Sequence, residues 1–240
     1  MLEDKNLNNI LFLDIETVPG ESSFDLLNED MQMLWDKKSK SFREETQSAK
    51  DAYQRAGIYA EFGKIVCISV GYITQNSNGE NTIRTKSFAG DNERQLLNDF
   101  SSLLNKSYSS FDSTLCGHNI KEFDIPYIAR RMLINALPLP KALDIAGKKP
   151  WDIKHLDTME LWKFGDYKAY TSLNLLTHIF DIPTPKDDID GSQVANVYYE
   201  DHDIKRIAIY CEKDVVATAQ LFLRFQLKPL IRQENIFHIE

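Results

Sequence analysis

Two periods alternate along the chain, and they predict strands and helices in alternation. Ile10 to Leu13 is a short continuous apolar run, a candidate buried strand that Pro19 and Gly20 bring to an end. Phe24, Leu26, Leu27, Met31, Leu34 and Trp35 then recur at roughly helical spacing, and a charged stretch from Lys37 to Arg55 follows. Residues 20–59 therefore read as a helical insertion. Mixed-sign charge favours a solvated flap beside the core, while Lys37, Lys38, Lys40, Arg43 and Arg55 leave a substrate-gripping arm open. The β-branched run Ile65 to Ile73, the turn signal Asn78-Gly79 and the run Thr82 to Phe88 predict an antiparallel hairpin that extends the first strand into a sheet.

The second half continues the alternation. Asp91 is the candidate N-cap of a helix carrying Leu96, Leu97, Phe100, Leu103 and Leu104 on one face, ending near Asn105. Ser113 to Cys116 is a strand candidate, and it leads through Gly117 to Asp124 into a helix with Pro126 in its first turn. A proline-rich link, Leu137 to Pro150, precedes another strand candidate, Ile153 to Asp157, where Asp157 or Thr158 caps a short helix. Ser172 opens an apolar helix through Phe180, closed by Pro183 and Pro185, and Lys186 to Gln193 is a turn-rich acidic loop. Asp203 to Leu227 is the longest periodic segment, striped by Ile204, Ile207, Ala208, Cys211, Val215, Thr218, Phe222 and Phe225, and Pro229 stops it.

Composition narrows the class of protein. At 240 residues and 42% hydrophobic, residues 1–240 read as one domain with a full core. With 28 basic against 36 acidic residues the net charge is −8, the wrong sign for a protein that grips nucleic acid through its overall field. A polyanionic substrate would need a local patch, with modest, salt-sensitive affinity. Cys67, Cys116 and Cys211 are widely spaced within apolar runs, which suggests neither a disulfide framework nor a zinc knuckle and points to a reducing, cytoplasmic setting. The polar start of the chain and the lack of a long apolar stretch predict no signal peptide and no membrane anchor.

The candidate chemistry is acidic. Asp14 and Glu16 follow the first apolar run at alternate positions, so on a strand both carboxylates leave one face. Such a pair repels itself unless a divalent cation sits between the charges. The signal is weak alone, because about five acid-x-acid pairs arise by chance in a chain this acidic. Asp124, at the start of a helix, is locally best read as a cap. Tyr210 and Asp214 stack four apart beside the apolar stripe of the long helix, a pair that chance also supplies easily. Taken jointly, four carboxylates and a phenol come from three elements.

That order and spacing resembles the DEDD superfamily of 3′-to-5′ exonucleases in its tyrosine-bearing branch. Asp14-Ile15-Glu16-Thr17 looks like the first motif, Asn119 to Asp124 the second and Tyr210-Cys211-Glu212-Lys213-Asp214 the third. The pattern resembles the proofreading exonuclease domain of family B DNA polymerases, and in particular the stand-alone exonucleases related to that domain, from Leu11 to about Leu227. The helical insertion and His118 depart from that pattern. The resemblance implies an α/β, ribonuclease H-like fold with a mixed central sheet of about five strands, the first three an antiparallel meander, flanked by helices. It implies Asp14, Glu16, Asp124 and Asp214 as ligands of two divalent cations, Mg²⁺ or Mn²⁺, which carboxylate oxygens suit. Tyr210 would position the attacking water, and Thr17, Asn119 and Phe123 would contact the nucleotide, with a core role for Phe123 equally open. The implied reaction releases nucleoside monophosphates from single-stranded or frayed DNA 3′ ends. An RNA exonuclease similar to ribonuclease D is the first alternative, and a non-catalytic nucleic-acid-binding module the second.

Overall fold

The computed structural model describes residues 5–110, 112–166, 168–183 and 189–239. Its centre is β1 (Ile10–Pro19), and β1 is apolar because it is covered on both sides. Leu11, Leu13 and Ile15 point into one core, while Ile10 and Phe12 point into another. β2 (Gly63–Gln75) runs antiparallel to β1, and β3 (Asn81–Ala89) antiparallel to β2, with the reversal at Asn78-Gly79 where Gly79 takes φ 78°. On the other side of β1 lies β4 (Thr114–Gly117), parallel to it, and then β5 (Leu156–Asp157), parallel to β4. The sheet order is β5-β4-β1-β2-β3-β6.

This is a six-stranded mixed sheet whose first three strands form the expected meander. The sixth strand, β6 (Ile236–His238), pairs parallel with β3 and was not foreseen. Three residues after a proline carry too short a pattern to announce a strand. β5 is likewise shorter than the expected run from Ile153.

Helices cover both faces. α1 (Glu29–Ser39) lies between β1 and β2, whereas α2 (Glu93–Ser107) and α3 (Asp124–Ile134) close one face of the sheet. Three shorter helices, α4 (Thr158–Lys163), α5 (Leu173–Ile179) and α6 (Val194–Tyr199), lead to α7 (Ile204–Phe225), which lies across the other face. The acidic loop expected at Lys186 to Gln193 lies partly outside the described residues. Close approach of α7 depends on Gly71, since a Cβ there would sit 2.7 Å from Val215 Cγ1. Phe222 packs edge-on against Phe12 at 5.9 Å.

Several helix starts follow the expected chemistry. Ser172 caps α5, Asp203 caps α7 and Asp157 caps α4. Asp91 does not cap α2. Asn92 accepts from Gln95 N–H in that role, and Asp91 instead accepts from the Tyr198 hydroxyl at 2.8 Å. Two good caps stand side by side, and a tertiary partner takes one of them.

Residues 20–62 gather around Trp35, which is fully buried and donates its indole N–H to the Ala49 carbonyl at 2.8 Å. Phe42, Tyr53, Tyr59 and Phe62 surround its ring. The predicted single stripe is not what packs. Leu26 and Leu34 are exposed, because a 3-10 turn at Phe24–Leu26 breaks the register before α1 begins. Among the described residues no helix is long and apolar enough to cross a membrane.

Candidate active site

The site forms at the C-terminal end of β1. Asp14 and Glu16 leave the face that α7 covers, opposite Ser69 and Cys67 of β2, and the pairing shifts register between Glu16 and Thr17. Such a bulge ends regular pairing and re-aims the strand beside the acids. Above them, Cys211 of α7 is fully buried and its thiol donates to Asp14 Oδ2 at 3.3 Å and to the Asp14 carbonyl at 3.4 Å. One oxygen of Asp14, one of Glu16 and the Cys211 sulfur all lie within 4.8 Å of one another. Tyr210 and Asp214 flank that cysteine on the helix.

Asp124 arrives from the opposite face as the first residue of α3. It is 4% exposed, and its carboxylate takes main-chain hydrogen bonds from its own residue and from Ile15. Phe123 holds the cap position and Asp124 stands one residue inside the helix, so the local reading of Asp124 as a cap is corrected.

Electrostatics tie the acids together. Burial first, then the charges of Glu16, Asp124 and Asp214, hold the Asp14 carboxyl well above the usual carboxylate range. Burial and then Asp214 do the same to Glu16. Burial pushes Asp124 up to about 7. Buried like charges disfavour ionisation, and a cation among them reverses that preference. The donors are hard oxygens, which fits Mg²⁺ or Mn²⁺. Tyr210 is hydrogen-bonded to Asp214, and burial together with the nearby acids raises its phenol above the normal value.

The expected substrate residues are placed less uniformly. Thr17 hydrogen-bonds to the Tyr127 phenol, which donates to the Gly57 carbonyl at 2.7 Å, so its hydroxyl braces the scaffold. Phe123 is half-buried and packs against Tyr127, ring centroids 5.4 Å apart. Asn119 lies in the loop after β4 with φ 64°, a left-handed conformation that Asn tolerates better than most residues.

Three residues outside the expected set shape the site. His118 bridges Thr158 Oγ1 and the Thr171 carbonyl, both at 2.9 Å, and burial lowers its pKa. Asp157 accepts from main-chain N–H groups of the loop carrying Asn119. Glu212, between Tyr210 and Asp214 on α7, turns to the sheet and accepts from Thr85 and Ser87, each at 2.7 Å, and contacts His238. This fixes the roll of α7 about its axis. No sequence signal marked Glu212, because Thr85 and Ser87 lie more than a hundred residues before it and His238 lies beyond the end of α7.

Residues 58–234, most of the chain, match the family of predicted 3′-5′ exonucleases related to the exonuclease domain of PolB. The chain belongs to that family. The matched region contains Asp124, Tyr210 and Asp214, while Asp14 and Glu16 precede it. This exonuclease shares its ribonuclease H-like α/β fold with the family B DNA polymerase of the archaeon Pyrobaculum calidifontis, at 15% identity and a TM-score of 0.52. That likeness covers 91% of the exonuclease but only 24% of the polymerase chain. The RNase domain of the yeast Pop2 protein also aligns, at 10% identity over 96% of the exonuclease and 81% of that domain, with a TM-score of 0.43. No curated protein matches in sequence.

Proposed function

We propose that the protein is a metal-dependent 3′-to-5′ exonuclease of the tyrosine-bearing DEDD type, removing nucleoside monophosphates from single-stranded or frayed DNA 3′ ends. In this reading residues 1–240 are one exonuclease domain, 20–59 are a helical insertion within it, and the setting is cytoplasmic. The observation that carries it is the convergence of Asp14, Glu16, Asp124 and Asp214, with Asp14 and Glu16 pushed toward protonation by burial and their neighbouring acids and Asp124 by burial.

Asp14, Glu16 and Asp214 would hold one divalent cation, and Asp14 with Asp124 a second. Two such cations supply charge neutralisation at the attacking and leaving oxygens of phosphodiester hydrolysis. The chain's own groups do the rest. Tyr210, its phenol kept neutral by burial and the surrounding acids, orients the attacking water by hydrogen bonding rather than taking its proton. Asn119 contacts the terminal nucleotide from the loop beside Asp124. Cys211 holds the Asp14 carboxylate by its thiol hydrogen bond.

The test is degradation of a 5′-labelled single-stranded oligonucleotide with Mg²⁺ or Mn²⁺, followed by product analysis. A ladder shortening from the 3′ end, stopped by chelator and restored by metal, supports the reading, and intact substrate under all metal conditions sinks it. Matched DNA and RNA oligonucleotides separate the DNA reading from RNA, because only contacts to the 2′-OH distinguish them. Tyr210→Phe removes an orienting hydrogen bond and no ligand, so its kcat should fall about tenfold, well short of a ligand substitution. Steady-state kinetics on the same oligonucleotide check this.

A further inference from the structure

The loop 118–123 joins β4 to α3 and determines where Asp124 enters the site. Its shape is set at Asn119, whose left-handed backbone turns the chain and whose carbonyl accepts from Glu122 N–H at 3.2 Å and Phe123 N–H at 3.0 Å. Two further N–H groups of the loop are taken by Asp157. Asn119 N–H donates to Asp157 Oδ1 at 2.9 Å and Lys121 N–H to Asp157 Oδ2 at 3.1 Å.

Asp157 is 3% exposed and also caps α4, with Oδ1 accepting from Met159 N–H at 3.0 Å and Glu160 N–H at 3.3 Å. Its place is set by pairing of β5 with β4, which puts Asp157 beside Gly117. At Gly117 an added Cβ would meet Ile120 Cβ at 2.7 Å and the Leu13 carbonyl at 2.9 Å, so loop and strand are in close contact. Capping α4 needs one acceptor oxygen, and Ser, Thr or Asn supplies it as well as Asp does. Gripping the loop at Asn119 and Lys121 as well takes both oxygens of an ionised carboxylate, whose charge-assisted bonds are the stronger kind.

We propose that Asp157 is a positioning residue for the exonuclease reaction, its carboxylate holding the 118–123 loop so that Asp124 stands at the acid cluster. The inference rests on the exonuclease reading above. Asp157 touches neither substrate nor cation. It acts through Asp124, and it binds the loop to the end of the sheet where β4 and β5 stop.

Asp157→Ser keeps a cap for α4 but is too short to hold the loop. In this variant kcat on a 5′-labelled oligonucleotide with Mn²⁺ should fall about 10- to 100-fold, the scale on which groups supporting metal ligands act. KM for the oligonucleotide should rise less than kcat falls, since Asn119 is the one proposed nucleotide contact that moves with the loop. Calorimetric titration of the substrate-free protein with Mn²⁺ should show about tenfold weaker binding. A lowered thermal midpoint with wild-type kcat and wild-type Mn²⁺ binding would reduce Asp157 to a helix cap and overturn the proposal. If Asp157→Ser does not fold, Asp157→Asn keeps the shape and one acceptor and is read by the same measurements. A wild-type protein with no metal-dependent degradation counts against the exonuclease reading instead, and Mn²⁺ calorimetry still decides whether Asp157 supports the acid cluster.

Discussion

Replacing Asp14 or Asp214 by Asn is expected to lower metal-dependent degradation of a 3′ end on the order of a thousandfold, with the fold intact. The scale is at least that of losing a single preorganised charge-stabilising contact in other hydrolases. Asp14 is the group shared by both proposed cations, and Glu16 serves one, so Asp14→Ala should be the more damaging of the two alanine substitutions. Kinetics on one oligonucleotide compares them, and near-wild-type activity in Asp14→Asn or Asp214→Asn would remove the proposed mechanism.

Stability should move the other way. Burial and the neighbouring acids oppose ionisation of Asp14, so the metal-free Asp14→Asn protein should melt no lower than wild type. The wild type should gain stability from Mn²⁺ by linkage, and the variant much less.

Burial of Asp124 has a pH signature in the metal-free protein. Asp124 is pushed up to about 7 from an ordinary 3.8, so between those limits the folded state binds more protons than the unfolded chain. Stability contributed by such a group is present below the unfolded value and is lost as pH rises through the folded one. The melting temperature of Asp124→Asn relative to wild type should therefore increase between about pH 5 and about pH 8. A constant difference across that range would show that Asp124 ionises freely.

The second large effect concerns the frame that holds α3. Arg131 and Glu93 form an ion pair whose side chains are 13% and 9% exposed. Arg131 gives Nε at 2.8 Å and Nη2 at 2.5 Å to Glu93, and Nη1 to the Ala60 carbonyl at 2.8 Å. Glu93 also accepts from Ile65 N–H at 2.8 Å and Asn135 Nδ2 at 2.9 Å, so one pair joins α2, α3, β2 and the end of the Trp35 unit. Arg131→Ala strands a buried carboxylate and should cost about 3–5 kcal/mol. Arg131→Lys keeps the charge but not the fork, so it should fall between. Urea unfolding with an unchanged slope is the measurement. A loss below about 1 kcal/mol, the range of exposed pairs, would mean that solvent replaces the guanidinium.

Local chemistry was legible wherever it acted within a few residues. The apolar run of β1, the Asn78-Gly79 reversal, the caps Ser172 and Asp203 and the stripe of α7 all follow from steric and periodic rules of neighbouring residues. The same rules failed where a distant group decided. Asp91 lost the cap of α2 to Asn92 because Tyr198 claims it. The stripe in 20–59 was broken by a 3-10 turn and reorganised around Trp35.

By itself, then, the sequence determined the longer elements, their order and the spacing of the acids, since these depend on backbone preference and on which face each residue takes. Only the tertiary structure decided that Asp124 is no cap, that Cys211 holds Asp14, and that Asp157 and Glu212 serve the loop and the helix carrying other acids. Those facts depend on contacts between residues far apart in the chain. A carboxylate reads the same in sequence whether it caps a helix, grips a loop or faces three other acids, and only burial and neighbours separate the three.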